Sequence, residues 1–253
     1  MMQIMNFKAI GLYDLEYYTK KLPGAEEYFS GKIRPFYVKI ISLIKKRIRR
    51  RRKKLGKKRI RVLDIGCGRG EILLLVNKEL KEYNVDSVGI DISEAAVKIA
   101  KEHGEVVQCD CCKLPFRNGV FHIITCLEVI EHLSEKQQLH LLNEVFRIIE
   151  INGLFLITTP NKYWRIFRAL VEFYKHPLRG YEIVVKYKCH VPIGHIRELG
   201  PLSFLMMLLK SGFTPILCFM KPFKVSLKEL ASIPPLLSPA SLWGLFSPRK
   251  KKA

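Results

Sequence analysis

Residues 60–76, IRVLDIGCGRGEILLLV, constrain the fold more than any other stretch of the chain. A β-rich apolar run ends on Gly66, Gly68 and Gly70 and passes at once into a helical pattern over residues 70–82. Glycines at alternate positions let a backbone turn tightly off a strand and approach a ligand without Cβ clashes. The alternation then continues. DSVGID (86–91) reads as a second strand, and Ser93 is a good N-cap for a helix through about Glu102. EVVQCD (105–110) reads as a third strand and, after a turn at Arg117–Gly119, VFHIITC (120–126) as a fourth. Leu139, Leu142, Val145, Phe146 and Ile149 recur at helical spacing, and Asn152-Gly153 is expected to turn the chain into a fifth strand, LFLITT (154–159), stopped by Pro160. Strands separated by helices pair in parallel, because parallel neighbours need a crossover. The expected fold is α/β, with a doubly wound, mostly parallel sheet. Residues 161–200 are irregular and aromatic-rich and read as an insertion or lid. Pro201 suits the first turn of a helix over 201–211, and FTPILCFM (213–220) reads as a sixth strand.

Charge divides the chain. Of 253 residues, 44 are Lys or Arg and 23 Asp or Glu, for a net charge of +21. Residues 45–61, KKRIRRRRKKLGKKRIR, carry 13 bases and no acid, whereas residues 62–160 carry 9 bases and 15 acids. Ile33, Phe36, Tyr37, Ile40, Ile41, Ile44 and Ile48 recur at helical spacing up to and into the basic run. A helix over about 35–54 could lie on an anionic membrane surface, or pack on the core while its basic end reaches RNA. The sequence does not choose. The expected domains are a basic helical N-terminal extension (1–58), a core (59–220) with the insertion at 161–200, and a Pro-rich, basic-ended tail (221–253). An apolar share of 48% excludes a wholly disordered chain. No apolar run reaches the roughly 18 residues of a membrane span. Seven cysteines and no secretory pattern at the start give the expectation of a cytoplasmic protein with free thiols, with a peripheral place at the membrane as the variant.

Three acids follow three successive strands. Asp64 sits in the strand end before the glycines, where a pyrophosphate would gain nothing from a carboxylate but a cationic ligand would. Asp91 stands 21 residues after Gly70, placed for two ribose hydroxyls, and Asp110 stands 19 further on, placed for an adenine edge. Together they suit an adenosine with a positively charged appendage. In this order VLDIGCGRGE, VGIDIS, CDCCKLPF, FHIITCLEVIEHL and LITTPN resemble the successive motifs of class I S-adenosylmethionine-dependent methyltransferases, most nearly the broad group containing the ubiquinone-biosynthesis methyltransferases. The resemblance covers about residues 60–160 and, more loosely, 195–220. It implies a Rossmann-like, seven-stranded-type sheet with S-adenosyl-L-methionine as cofactor. Asp64, Gly66, Cys67, Gly68 and Gly70 would hold the methionine part. Asp91 would bind the ribose, Ile92 would lie against the adenine, Asp110 and Cys111 would meet its edge, and Leu127 and Glu128 would line the floor. His122 stands where the group's pattern has Asp. SLWGLF (241–246) is the candidate for the seventh, antiparallel strand.

EVIEHL (128–133) would put Glu128, Glu131 and His132 on one face of a helical turn, if the segment winds. With His195 they could hold a divalent ion, an arrangement similar to the small-RNA 2′-O-methyltransferases. The same turn occurs in metal-free members of the wider group, and no resident metal is expected. His132 and His195 are the candidate general bases. Cys109 and Cys112 make one C-x-x-C spacing without a second pair, so no zinc is expected. The expected activity is methyl transfer to an O, N or C nucleophile of a small-molecule or lipid-like acceptor. The alternatives are an ion-assisted RNA 2′-O-methyltransferase and a non-catalytic cofactor-binding interaction module.

Overall fold

The computed structural model describes residues 13–22, 25–56, 58–163, 174, 194–219 and 241–248. Seven strands form one sheet in the order β3-β2-β1-β4-β5-β7-β6. They are β1 (Ile60–Ile65), β2 (Val85–Asp91), β3 (Glu105–Gln108), β4 (Phe121–Leu127), β5 (Ile149–Pro160), β6 (Phe213–Phe219) and β7 (Ser241–Pro248). The first five pair in parallel, and β7 enters antiparallel between β5 and β6. The helices are α1 (Ala25–Phe29), α2 (Pro35–Leu55), α3 (Glu71–Glu79), α4 (Glu94–Ala100), α5 (Glu135–Ile148) and α6 (Pro201–Lys210).

Each strand feeds both faces of the sheet, as a period of two requires. Leu63 and Ile65 of β1 point into the layer with Leu141, Leu142, Val145 and Ile148 of α5 and Phe204 and Leu208 of α6. Ile60 and Val62 point the other way, onto Ile72, Leu75 and Val76 of α3 and onto α2. Phe36, Ile40, Ile41, Ile44 and Ile48 are all buried in that second layer. The apolar stripe of the basic helix is therefore spent on the core, and the choice left open between membrane and core falls to the core.

Two local expectations are corrected. Asn152-Gly153 does not precede β5 but lies within it. The strand starts at Ile149, directly after α5, and Asn152 takes φ 69° inside it. The E-V-I-E-H segment does not wind into an α-helix, since only a 3₁₀ turn over Ile130–His132 forms. The reason is Glu128, at φ 56°, whose N–H extends the sheet ladder to the Thr158 carbonyl at 3.1 Å. SLWGLF does form the antiparallel strand, within β7. Trp164, Phe167, Phe173, Tyr181, Tyr187 and Cys189 of the expected insertion lie outside the described residues, as does the proline-bearing stretch 220–240. Among the described residues no helix is long and apolar enough to cross a membrane.

Candidate active site

The carboxyl ends of β1, β2, β3 and β4 bring most of the singled-out residues to one edge, the place where open α/β sheets bind ligands. The glycine loop is built by backbone bonds. The N–H groups of Gly66 and Cys67 both donate to the Ile90 carbonyl, at 2.8 and 2.9 Å, and Gly70 in the left-handed region opens α3. Gly66 is obligatory. At φ +68°, a Cβ there would lie 2.3 Å from Cγ2 of Val129, so the loop and the turn after β4 are in close contact.

Asp64 is buried, and its only described hydrogen-bond partner is the Thr125 hydroxyl, which donates at 2.6 Å. Burial pushes its carboxyl up to about 7, against the pull of that bond. Asp91 accepts from Gly68 N–H at 3.0 Å and Ser93 N–H at 2.9 Å, tying β2 to the glycine loop; burial raises its pKa too. Ile92 is half-buried, its carbonyl accepting from the Gln108 amide at 3.0 Å. Asp110 braces the next turn by accepting from Cys112 N–H at 2.8 Å. The Cys111 thiol bonds to Cys112, and this with burial holds its pKa well up. Asp110, Cys111 and Cys112 bring one ligand atom each within 4.8 Å of one another. Cys67, Cys109, Cys111, Cys112 and Cys126 are free thiols. Leu127 ends β4 and Glu128 follows it, with its Oε1 buried and without a hydrogen-bond partner among the described residues. Burial raises the pKa of this carboxyl.

Beside this floor, Glu131, His132 and His195 bring one ligand atom each within 4.8 Å of one another. Glu128 stands outside that trio. The Nδ1 of His132 lies 3.0 Å from the Gly194 carbonyl, which can only accept, so Nδ1 carries the proton and Nε2 faces Glu131 Oε1 at 4.0 Å. His195 is oriented likewise, with Nδ1 3.0 Å from Glu198 Oε1. Glu131 Oε2 accepts from the Thr159 hydroxyl at 3.0 Å, while Oε1 is buried and has no hydrogen bond among the described residues. Burial drives the His132 pKa down to about 4, so the ring is neutral at pH 7. Two imidazoles fixed through Nδ1 and one vacant carboxylate oxygen form a set that could take a divalent cation.

The sequence reading missed the N-terminal contribution. Tyr18 is buried, with its ring 3.8 Å from where a Gly68 Cβ would stand, and Tyr13 Oη lies 2.9 Å from His132 Nδ1. Ser93 Oγ donates to the Tyr13 carbonyl at 2.7 Å. Arg69, fully buried within the loop, donates to Glu71 at 2.7 Å and to the Tyr18 carbonyl at 3.4 Å and stacks on Tyr28 at 4.8 Å. Arg34 lies 3.6 Å from the same Glu71 carboxylate, its Nε buried and without a hydrogen-bond partner among the described residues. Residues 13–22 thus strap the glycine loop and Asp91. The signal for this was slight, three tyrosines without a period.

The sheet order and the acids along its carboxyl edge define an α/β protein of the doubly wound kind. Residues 62–153 match a family described as a methyltransferase domain. An uncharacterized protein of Methanocaldococcus jannaschii is 32% identical over 158 residues, 60% of this chain and 57% of that one. The ubiquinone biosynthesis O-methyltransferase of Coxiella burnetii is 28% identical over 113 residues, 42% of this chain and 46% of that enzyme. The chain thus spans about half the length of these relatives. Among solved structures, the TehB-like SAM-dependent methyltransferase of Corynebacterium glutamicum matches at TM-score 0.58, with 16% identity, over 93% of this chain and 98% of that one. PKMT2 of Rickettsia typhi, solved with AdoHcy, matches at TM-score 0.53, with 18% identity, over 75% and 48%. Residues 62–153 thus carry a methyltransferase domain, on the Rossmann-like fold that these S-adenosylmethionine-dependent methyltransferase structures share.

Proposed function

We propose that this chain transfers the methyl group of S-adenosylmethionine to a nucleophilic O, N or C of a small-molecule or lipid-like acceptor. The observation that carries the reading is Asp64, a buried carboxyl at the glycine loop with no cation among its described partners. Such a group fits a ligand that brings its own positive charge, and the unpartnered Glu128 Oε1 fits one that brings a donor. When bound, the cofactor supplies an electrophilic methyl on a sulfonium and leaves as S-adenosylhomocysteine. Asp64 and the Gly66–Gly70 loop would hold its amino-acid end, with Arg34 as the nearby cation for its carboxylate. Asp91 keeps lone pairs for the ribose hydroxyls, and Asp110, Cys111 and Ile92 would frame the adenine. The strap at Tyr13–Tyr18 excludes water, so alignment and desolvation do most of the work. Neutral His132 could accept a proton from a hydroxyl nucleophile through Nε2.

The Glu131–His132–His195 cluster favours a second reading, an acceptor hydroxyl polarised by a divalent ion, as for a ribose 2′-OH of RNA. Calorimetric titration with S-adenosylhomocysteine tests the first reading. Micromolar binding by the wild type should weaken at least about 100-fold in Asp91→Ala, the scale of two charge-assisted hydrogen bonds. A folded wild type that does not bind ends it. Manganese titrated in the same instrument should bind the wild type and fail with His195→Ala if the second reading holds.

A further inference from the structure

We propose that the outward face of α2 and the adjoining start of β1 form a docking surface for the phosphate backbone of RNA. Helical spacing puts Lys46, Arg49 and Arg50 opposite the buried Ile40, Ile44 and Ile48, and all three are exposed, as are Lys58, Arg59 and Arg61 next to them in the chain. The carboxylates supplied to this run are few. Lys45 meets Glu82 at 3.8 Å, Arg51 meets Glu150 at 2.7 Å and Arg59 meets Asp86 at 3.0 Å, against 13 bases in residues 45–61. Among the described residues, Lys46, Arg50 and Arg61 form no ion pair. The local field is felt by a neighbour. His122, whose Nδ1 accepts from Arg61 N–H at 3.1 Å, is held below the usual imidazole range by burial and by Arg51, Arg61 and Arg52, against the opposing pull of Glu150.

The apolar half of α2 argues against a lipid surface as the partner. Its stripe is buried in the core, and Val38 is the one large apolar side chain exposed among its described residues. What remains outside is a row of cations one helical turn apart, which suits a repeating polyanion. The surface lies at the amino ends of β1 and β4, whereas Asp64, Asp91 and Glu128 lie toward carboxyl ends. The six residues of β1 separate the two edges by about 20 Å at roughly 3.3 Å per residue. The surface therefore anchors RNA away from the chemistry, and only a strand long enough to round the sheet edge reaches both. The proposal deepens the second reading above and rests on it only for the acceptor.

The test is fluorescence anisotropy of the full chain with a labelled 30-nucleotide RNA hairpin between 50 and 200 mM salt, scored without methyl transfer. Binding should weaken roughly 100-fold across that range, as for about four phosphate contacts. The Lys46→Gln/Arg50→Gln/Arg61→Gln variant should bind at least about 10-fold more weakly at 100 mM, with the log–log salt slope reduced by about 3. Its melting curve and its S-adenosylhomocysteine affinity should stay those of the wild type. Absence of RNA binding at 50 mM, an unchanged affinity and slope in the variant, or binding to phosphatidylserine vesicles without binding to the hairpin would each overturn the docking surface. None of these depends on the cofactor, so failure here and failure of the methyltransferase reading are told apart.

Discussion

A carboxyl with a pKa of about 7 is poised to report its own ligand. In the free protein Asp64 holds its proton well above the ordinary carboxylate range because burial disfavours the charge. The sign for stability follows. The folded state keeps the proton that the unfolded chain has lost, so stability falls as pH rises from about 4 to about 7 and levels off above. Cofactor binding runs the other way, since an ammonium in contact with Asp64 needs it ionised. Affinity for S-adenosylhomocysteine should therefore rise roughly tenfold from pH 6 to pH 8, and Asp64→Asn should bind weakly with a flat profile. Calorimetry across that range checks both, and a flat wild-type profile removes Asp64 from contact with the ammonium. The sequence made the three acids visible by their positions after strands. It could not show that Asp64 pairs with Thr125, because that contact crosses from β1 to β4. Nor could it show Arg69 and Arg34 closing on one Glu71 carboxylate from segments far apart in the chain.

At the level of elements, α2 shows what periodicity can and cannot say. Ile40, Ile44 and Ile48 announced an apolar face, and nothing local announced what covers it. The answer lies in α3 and the β1, β4 and β5 faces, whose residues are distant in sequence. If α2 is part of the core, Ile44→Ala should destabilise the protein by roughly 2–5 kcal/mol, seen as a Tm lower by several degrees. A helix merely tethered to the domain would leave the transition unmoved. The E-x-x-E-H turn carries the opposite lesson. Its spacing invited a helix, yet the Glu128 N–H is claimed by the ladder and its φ is positive, so helix geometry cannot begin before Val129. Glu131, His132 and His195 still converge, because the Glu131 carbonyl accepts from the N–H groups of Ile196 and Arg197 and draws the later segment in.

For the whole molecule, the sheet is completed out of order. β7 pairs with β5 over Phe155–Pro160 and with β6 over Phe213–Phe219, and its own Phe246 is fully buried. A chain stopped after Ala240 should lose its cooperative thermal transition, since β5 would be left with an open edge and β6 with no strand to pair. Calorimetric scanning of that truncation decides the matter, and an unchanged transition would make β7 an ornament. The five parallel strands were readable because three of the four connections between them carry a helix, α3, α4 and α5, and the fourth a turn at Arg117–Gly119. The place of β7 between β5 and β6 was not, because pairing order leaves no mark in a single strand's composition.

That placement also bears on how the protein is born. During synthesis the first five strands and α2 leave the ribosome early and can pack, but the β5 edge waits for a partner until residue 248 has been made. A nascent domain in this state presents apolar Phe155 and Ile157 along an unpaired rim, the kind of surface that aggregates or recruits chaperones. The time taken to synthesise residues 161–248 therefore sets how long that rim stays open.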